Sequence, residues 1–148
     1  MYYLFIINDL SLGDRFFSGK EIADQLLANN HWVFTPTTPN IKKLNPKDKV
    51  IVYIAGKGNR YFYANFEITG EVKEHALKPS GELEEVLYNI FPLSCQIKVL
   101  KIWDKPIDIA SVKEDLKFIT DKKNYGLFFR QSTKLIGEDD YNLIVNKG

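Results

Sequence analysis

Residues 49–72, KVIVYIAGKGNRYFYANFEITGEV, decide the fold class. Residues 49–55 form a largely β-branched and aromatic run, which reads as a strand. Gly56-Lys57-Gly58-Asn59 follows, with glycines free to take positive φ, as a hairpin connection requires. Residues 60–72 then alternate: Tyr61, Tyr63, Asn65 and Glu67 on one face, Phe62, Ala64, Phe66 and Ile68 on the other. Gly70 marks a bend.

Residues 2–8, YYLFIIN, read as a central strand. Residues 10–15 are expected to be a loop turning at Gly13. Ser18 and Glu21 have capping-box spacing and predict a helix carrying Ile22, Ala23, Leu26 and Leu27 inward, ended by Asn29 and Asn30. Pro36, Pro39 and Pro46 predict irregular chain over residues 32–46. Residues 75–93 are poorly patterned, with a helical turn expected at 82–87. Residues 95–103 form a strand whose phase slips near Leu100, the mark of a bulge. Ser111 and Glu114 predict a second capped helix, ending near Leu116. Short strands are expected at 127–129 and 134–136, and a closing helix at 138–145 with Tyr141, Leu143 and Ile144 packing inward. This is an α+β pattern: five or six strands with helices at the ends, closing into a small, partly open barrel.

The 148 residues suit one domain with one core, and no linker or repeat divides them. The 14% aromatic content is high; most of these rings are expected in the core, which leaves two or three that could line a site. Net charge is only +1, but it is uneven. Between His31 and Arg60 six bases (Lys42, Lys43, Lys47, Lys49, Lys57, Arg60) face one acid, Asp48, which suits contact with phosphates. The lone Cys95 excludes an internal disulfide and a thiolate zinc site, and it predicts a cytoplasmic location. The apolar N-terminal run is too short to span a membrane.

Nothing specific points to catalysis. The Gly56–Asn59 segment lacks both the spacing and the following helix of a phosphate loop. His31 and His75 stand in no recognisable motif. Glu84-Glu85 and Asp139-Asp140 are sequence neighbours on predicted helices, so neither pair faces itself as an acid/base couple. Cys95 alternates within a strand as a small core residue. No metal or cofactor is expected. Residues 30–44, NHWVFTPTTPNIKKL, are more telling. An aromatic on a rigid loop can stack a base, and a lysine pair just beyond can meet its phosphate; a buried tryptophan with solvated lysines is the plain alternative.

Three segments carry a resemblance that spans nearly the whole chain: residues 3–9 (YLFIIND), the run NHWVF followed by residues 43–53 (KLNPKDKVIVY), and residues 116–144 (LKFITDKKNYGLFFRQSTKLIGEDDYNLI). Together they resemble the EVE-domain family of the PUA-like superfamily, and more distantly the YTH domains. Lys47 departs from the family's usual Gly, and Gln131-Ser132 from its Gly-Ser. The resemblance implies a single EVE/PUA-like domain over residues 1–148, a PUA-like pseudo-β-barrel. It implies non-catalytic recognition of a modified base in DNA or RNA, flipped into an aromatic pocket. By matching position, Trp32 is the first cage aromatic and Asn8 bonds the base edge. Backbone groups of Val33 and Phe34 also bond the base, and Tyr88 or Phe91 forms a second wall. Arg130 faces the nucleic-acid backbone, as Lys42, Lys43 and Arg60 are expected to do on charge. A nuclease or restriction-type protein is a candidate partner. The rival reading is a sensor of a free modified nucleoside or a similar planar ligand.

Overall fold

A computed structural model describes residues 1–56 and 59–148. In chain order it contains β1 (Tyr2–Ile7), β2 (Leu10–Leu12), β3 (Arg15–Phe17), α1 (Gly19–Ala28), β4 (His31–Phe34), β5 (Lys49–Gly56), β6 (Asn59–Ile68), β7 (Lys73–Glu74), α2 (Glu82–Ile90), β8 (Leu93–Asp108), β9 (Thr133–Ile136) and α3 (Glu138–Lys147). The main sheet runs β4-β8-β6-β5-β1-β9, with β7 added beside β8. Among the described residues only the β1–β5 pairing is parallel. The fold is a curled half-barrel of α+β, PUA-like type. β5 and β6 pair down to Gly56 opposite Asn59, while the expected connection at Lys57 and Gly58 lies outside the described residues.

Both faces of the sheet are covered, which explains why β1 and β5 are apolar without alternation. Tyr3, Phe5, Val50, Val52 and Ile54 pack on one face with Ile22, Leu26, Trp32, Phe34 and Leu87. Leu4, Ile6, Ile51 and Tyr53 pack on the other with Trp103, Ile107, Leu116, Phe129 and Ile144. The sheet curls because β8 is long and bulged. Asn65 pairs with Lys101 and Phe66 with Val99, so Leu100 is the extra residue. The bulge therefore falls where the sequence phase slipped. Cys95 is buried, and burial pushes its thiol up to about 12.

Local signals around α1 hold in full. Ser18 Oγ accepts from the Glu21 amide at 3.1 Å, and Glu21 Oε2 accepts from the Ser18 amide at 3.2 Å. Asn30 then turns the chain with φ 57°. Other expectations need correction. Residues 10–17 hold the β2–β3 ribbon instead of a plain loop. His31–Phe34 is a strand, because it finds Leu93–Gln96 of β8 as a ladder partner before the first proline intervenes. α2 runs nine residues, beyond the single turn expected. Ser111 caps no helix: its hydroxyl donates to the Asp108 carbonyl at the end of a short 3-10 turn, Ile109–Ser111. Tyr125–Phe129 is a 3-10 turn where a strand was expected, since Phe129 anchors against Tyr53 (centroids 4.2 Å apart) and not in a ladder.

The family-like segments prove to be structural clamps. Asp140 is 3% exposed, and its two oxygens accept from the Lys117 and Phe118 amides at 2.8 and 2.9 Å. Asp48 Oδ2 accepts from the Asn45 amide at 2.9 Å, closing the turn that enters β5. In that turn Lys47 has φ 78°, in the left-handed region that favours glycine. Lys47→Gly is expected to stabilise the protein by about 1 kcal/mol, after the loss from greater freedom of the unfolded chain is subtracted. Urea denaturation with an unchanged slope would measure it; a destabilised variant would refute it.

Candidate base-binding site

The site forms where β1 ends. Beyond Ile7 the strand leaves its ladder with β5, and Asn8 and Asp9 turn toward the first turn of α1. Asp9 Oδ1 accepts from the Gly19 amide at 2.8 Å, which satisfies one of the helix's open N-terminal donors. Ile22 and Leu26 of α1 face Trp32, Val33 and Phe34 of β4, and Leu87 and Phe91 come across from α2. With Thr38, Ser132 and Thr133 they enclose a mainly apolar cavity of about 220 Å³. Cavities near ~150 Å³ admit benzene, so this one has room for a flat heterocycle with a substituent.

Trp32 is both core and wall. It is 4% exposed and lies against Phe66 and Phe5, with ring centroids 5.3 and 5.8 Å apart. Phe34 meets Phe5 edge-on at 5.7 Å. The proline-rich loop after β4 is held firmly: Thr38 Oγ1 accepts from the Thr35 amide at 3.0 Å, Asn40 Nδ2 donates to Thr133 Oγ1 at 3.3 Å, and the Thr133 hydroxyl donates to the Pro39 carbonyl.

Phe91 lines the cavity, and its carbonyl accepts from His75 Nε2 at 2.6 Å. The Leu77 amide donates to His75 Nδ1 at 3.4 Å. Tyr88 is not among the cavity walls. Its hydroxyl donates to Glu84 Oε2 at 2.8 Å and its ring stands edge-on to His75. Burial first, then the neighbouring Glu84 carboxylate, push Tyr88 up to about 12. Glu84 also accepts from the Ser80 hydroxyl and from Asn29 Nδ2 at 3.2 Å. The Ser80 hydrogen bond, foremost among these, holds its carboxyl below the usual range. Glu84 thereby ties α2 to the end of α1, fixing the spacing of two cavity walls.

The bases divide into two groups. Arg60 and Arg130 line one open hollow with Asn8, Ala55, Asn124 and Phe129. Asn8 lines the cavity as well, so it is common to both spaces. Lys42 and Lys43 are exposed and line neither space; Lys42 borders a separate hollow with Pro36 and Leu44. Lys43 lies at the Tyr3 end of β1, its carbonyl accepting from the Tyr3 hydroxyl at 3.5 Å, and Lys49 is paired with Glu67 at 2.6 Å. Arg60 sits opposite Ala55, at the far end of β5 from Lys49. Six residues of strand, about 20 Å, therefore separate the lysines from the arginines. Among the described residues, Lys42, Lys43 and Lys49 do not share one face with Arg60.

Sequence reasoning missed Asp9, Thr38 and Thr133 as wall residues, and took Ile22 and Leu26 for core alone. Asp9 had a visible signal, a second polar residue at the strand end. Thr38 and Thr133 had none, since only the fold brings their loops together. Among the described residues no group of three or more His, Cys, Asp or Glu is placed to hold a metal ion, and no helix is long and apolar enough to cross a membrane.

These features define a PUA-like domain with a ring-sized cavity at the end of its first strand. The EVE domain model matches residues 21–147, and the chain belongs to the EVE-domain family. No curated protein sequence matches it significantly. Solved structures share the fold at low identity. A Rhodopseudomonas palustris protein is 16% identical, with 99% of this chain and 92% of that one covered and a TM-score of 0.62. Human THYN1, solved with DNA containing 5-methylcytosine, is 12% identical, with 99% and 96% covered and a TM-score of 0.62. The YTH domain of Zygosaccharomyces rouxii MRB1, solved with N6-methyladenosine RNA, is 15% identical, with 99% and 86% covered and a TM-score of 0.61.

Proposed function

We propose that this chain is a non-catalytic reader that takes a modified base, flipped out of a DNA or RNA strand, into the cavity beside Trp32. One observation carries the reading: Asn8 borders both an apolar, ring-sized cavity and an open hollow lined by two arginines. The base enters between Trp32, Phe34 and Phe91, Asn8 meets its edge, and Arg60 and Arg130 meet the adjoining phosphates. That human THYN1 and the Zygosaccharomyces YTH domain were solved with methylated nucleic acids supports the reading.

Magnitudes agree with it. Unstacking a base costs a few kcal/mol, least in a single strand. Stacking on an aromatic returns about 1–3 kcal/mol, and burying a methyl group adds about 0.8 kcal/mol. Net affinity must then come from phosphate contacts, which makes binding fall with salt.

The test is a fluorescence-anisotropy titration of single-stranded oligonucleotides, each with one central modified or plain base, across a salt series. The expected result is tighter binding of a modified base. In the Arg60→Ala, Arg130→Ala double variant the log–log salt slope should fall by about 1.4. Lys42→Ala with Lys43→Ala should change it less. A salt-independent affinity, matched by the free nucleoside, would replace this reading with the small-molecule sensor.

A further inference from the structure

Phe16 is 60% exposed, on the β2–β3 ribbon that starts at the cavity rim. We propose that its ring stacks on the base next to the one held in the cavity. The site thereby grips two successive bases, one enclosed and one on an open aromatic face. The inference rests on the base-reader assignment and goes further by naming a contact to the neighbouring base.

The ribbon's register supports it. Leu10 pairs with Phe17, Ser11 with Phe16 and Leu12 with Arg15. Leu10 lines the cavity, and both Leu10 and Phe17 pack against the core on that side. Side chains alternate across a strand, so Ser11 and Phe16 share the opposite, open face. One step of strand, about 3.4 Å, separates their rung from that of Leu10. The ribbon is also tied down: Gly13 closes its turn with φ 62°, and Arg15 Nη1 lies 3.5 Å from Glu82 Oε1 of α2. A lone exposed ring is ordinary on a protein surface. Phe16 is set apart by its place beside the rim and by the charge around it. Asp14 lies in the ribbon's turn, Glu21 and Asp24 line a hollow with Phe17, and Glu82 engages Arg15. Such a surface repels phosphates, which are drawn instead to Arg60 and Arg130 in the hollow beside Asn8. What an uncharged ring can meet there is the flat face of a base, which every base presents. The contact is therefore tolerant of sequence.

Fluorescence anisotropy tests it on single strands of DNA and RNA with one central 5-methylcytosine, N6-methyladenine or the unmodified parent base. Immediately to the 5′ or the 3′ side stands either an adenine or an abasic site. On one of the two sides the abasic site is expected to weaken binding to the wild-type chain about tenfold. Phe16→Ala should bind the adenine-flanked strand about tenfold more weakly, and the abasic strand as the wild type does. Phe16→Leu, apolar but without a flat face, should behave like the alanine variant, and Phe16→Trp should keep the wild-type difference. Leu135→Ala removes a comparably exposed apolar side chain from β9 and should change nothing. A wild type indifferent to both neighbours overturns the role of Phe16, as does a difference that survives in Phe16→Ala or Phe16→Leu. In either case a preference for the modified central base over its parent leaves the reader assignment standing. If no strand binds, the reader assignment falls and this inference with it.

Discussion

Trp32→Ala should cost about 3–5 kcal/mol of stability, the range for removing a large buried aromatic. The ring is almost sealed, with Phe5 and Phe66 against it. Urea denaturation followed by circular dichroism would give the value. Loss of binding in this variant would therefore not isolate the site, and Phe91→Ala is the cleaner probe. Phe91 is only partly buried, at the end of α2, so its loss should cost about 1–2 kcal/mol of stability. Base affinity should nevertheless fall about tenfold, the weight of one stacking wall. A Trp32→Ala protein as stable as the wild type would show that the indole is a free-standing platform. Unchanged affinity in Phe91→Ala would remove that wall from the site.

Asp140→Ala is expected to be nearly as damaging, by about 2–5 kcal/mol, and for a different reason. It strands two amide donors, those of Lys117 and Phe118, each at about 1–3 kcal/mol when buried and unpaired. The clamp lies on the α3 face of the sheet, away from the cavity, so base preference should be unchanged under conditions where the variant is folded. Asp140→Asn keeps one good acceptor and should recover part of the loss. A fully stable alanine variant would mean that those amides reach water in solution.

Legibility followed range. The α1 helix was readable because its information is local: a capping box, an apolar face and a terminating asparagine all fall within thirteen residues, 18–30. The same local code misled at Ser111, where the Asp108 carbonyl was a nearer partner for the hydroxyl than any helix amide. The β4 strand hid among prolines, since its ladder partner lies some sixty positions further along the chain. Tyr88 and Phe91 looked equivalent as walls. Glu84 separates them by drawing the Tyr88 hydroxyl away while His75 holds the Phe91 carbonyl.

By itself the chain's order of residues determined the central strands, the bulge at Leu100, the α1 cap and the family. Each of these is written in neighbouring residues or in a motif that survives without coordinates. Only tertiary structure decided which polar groups share a space. Lys43 and Arg60, close in the sequence, are parted by the length of β5, while Asn8 and Arg130, far apart in it, line one hollow. The reason is that sheet pairing fixes neighbours through backbone hydrogen bonds between distant segments, and those bonds carry no mark in the sequence near a binding residue.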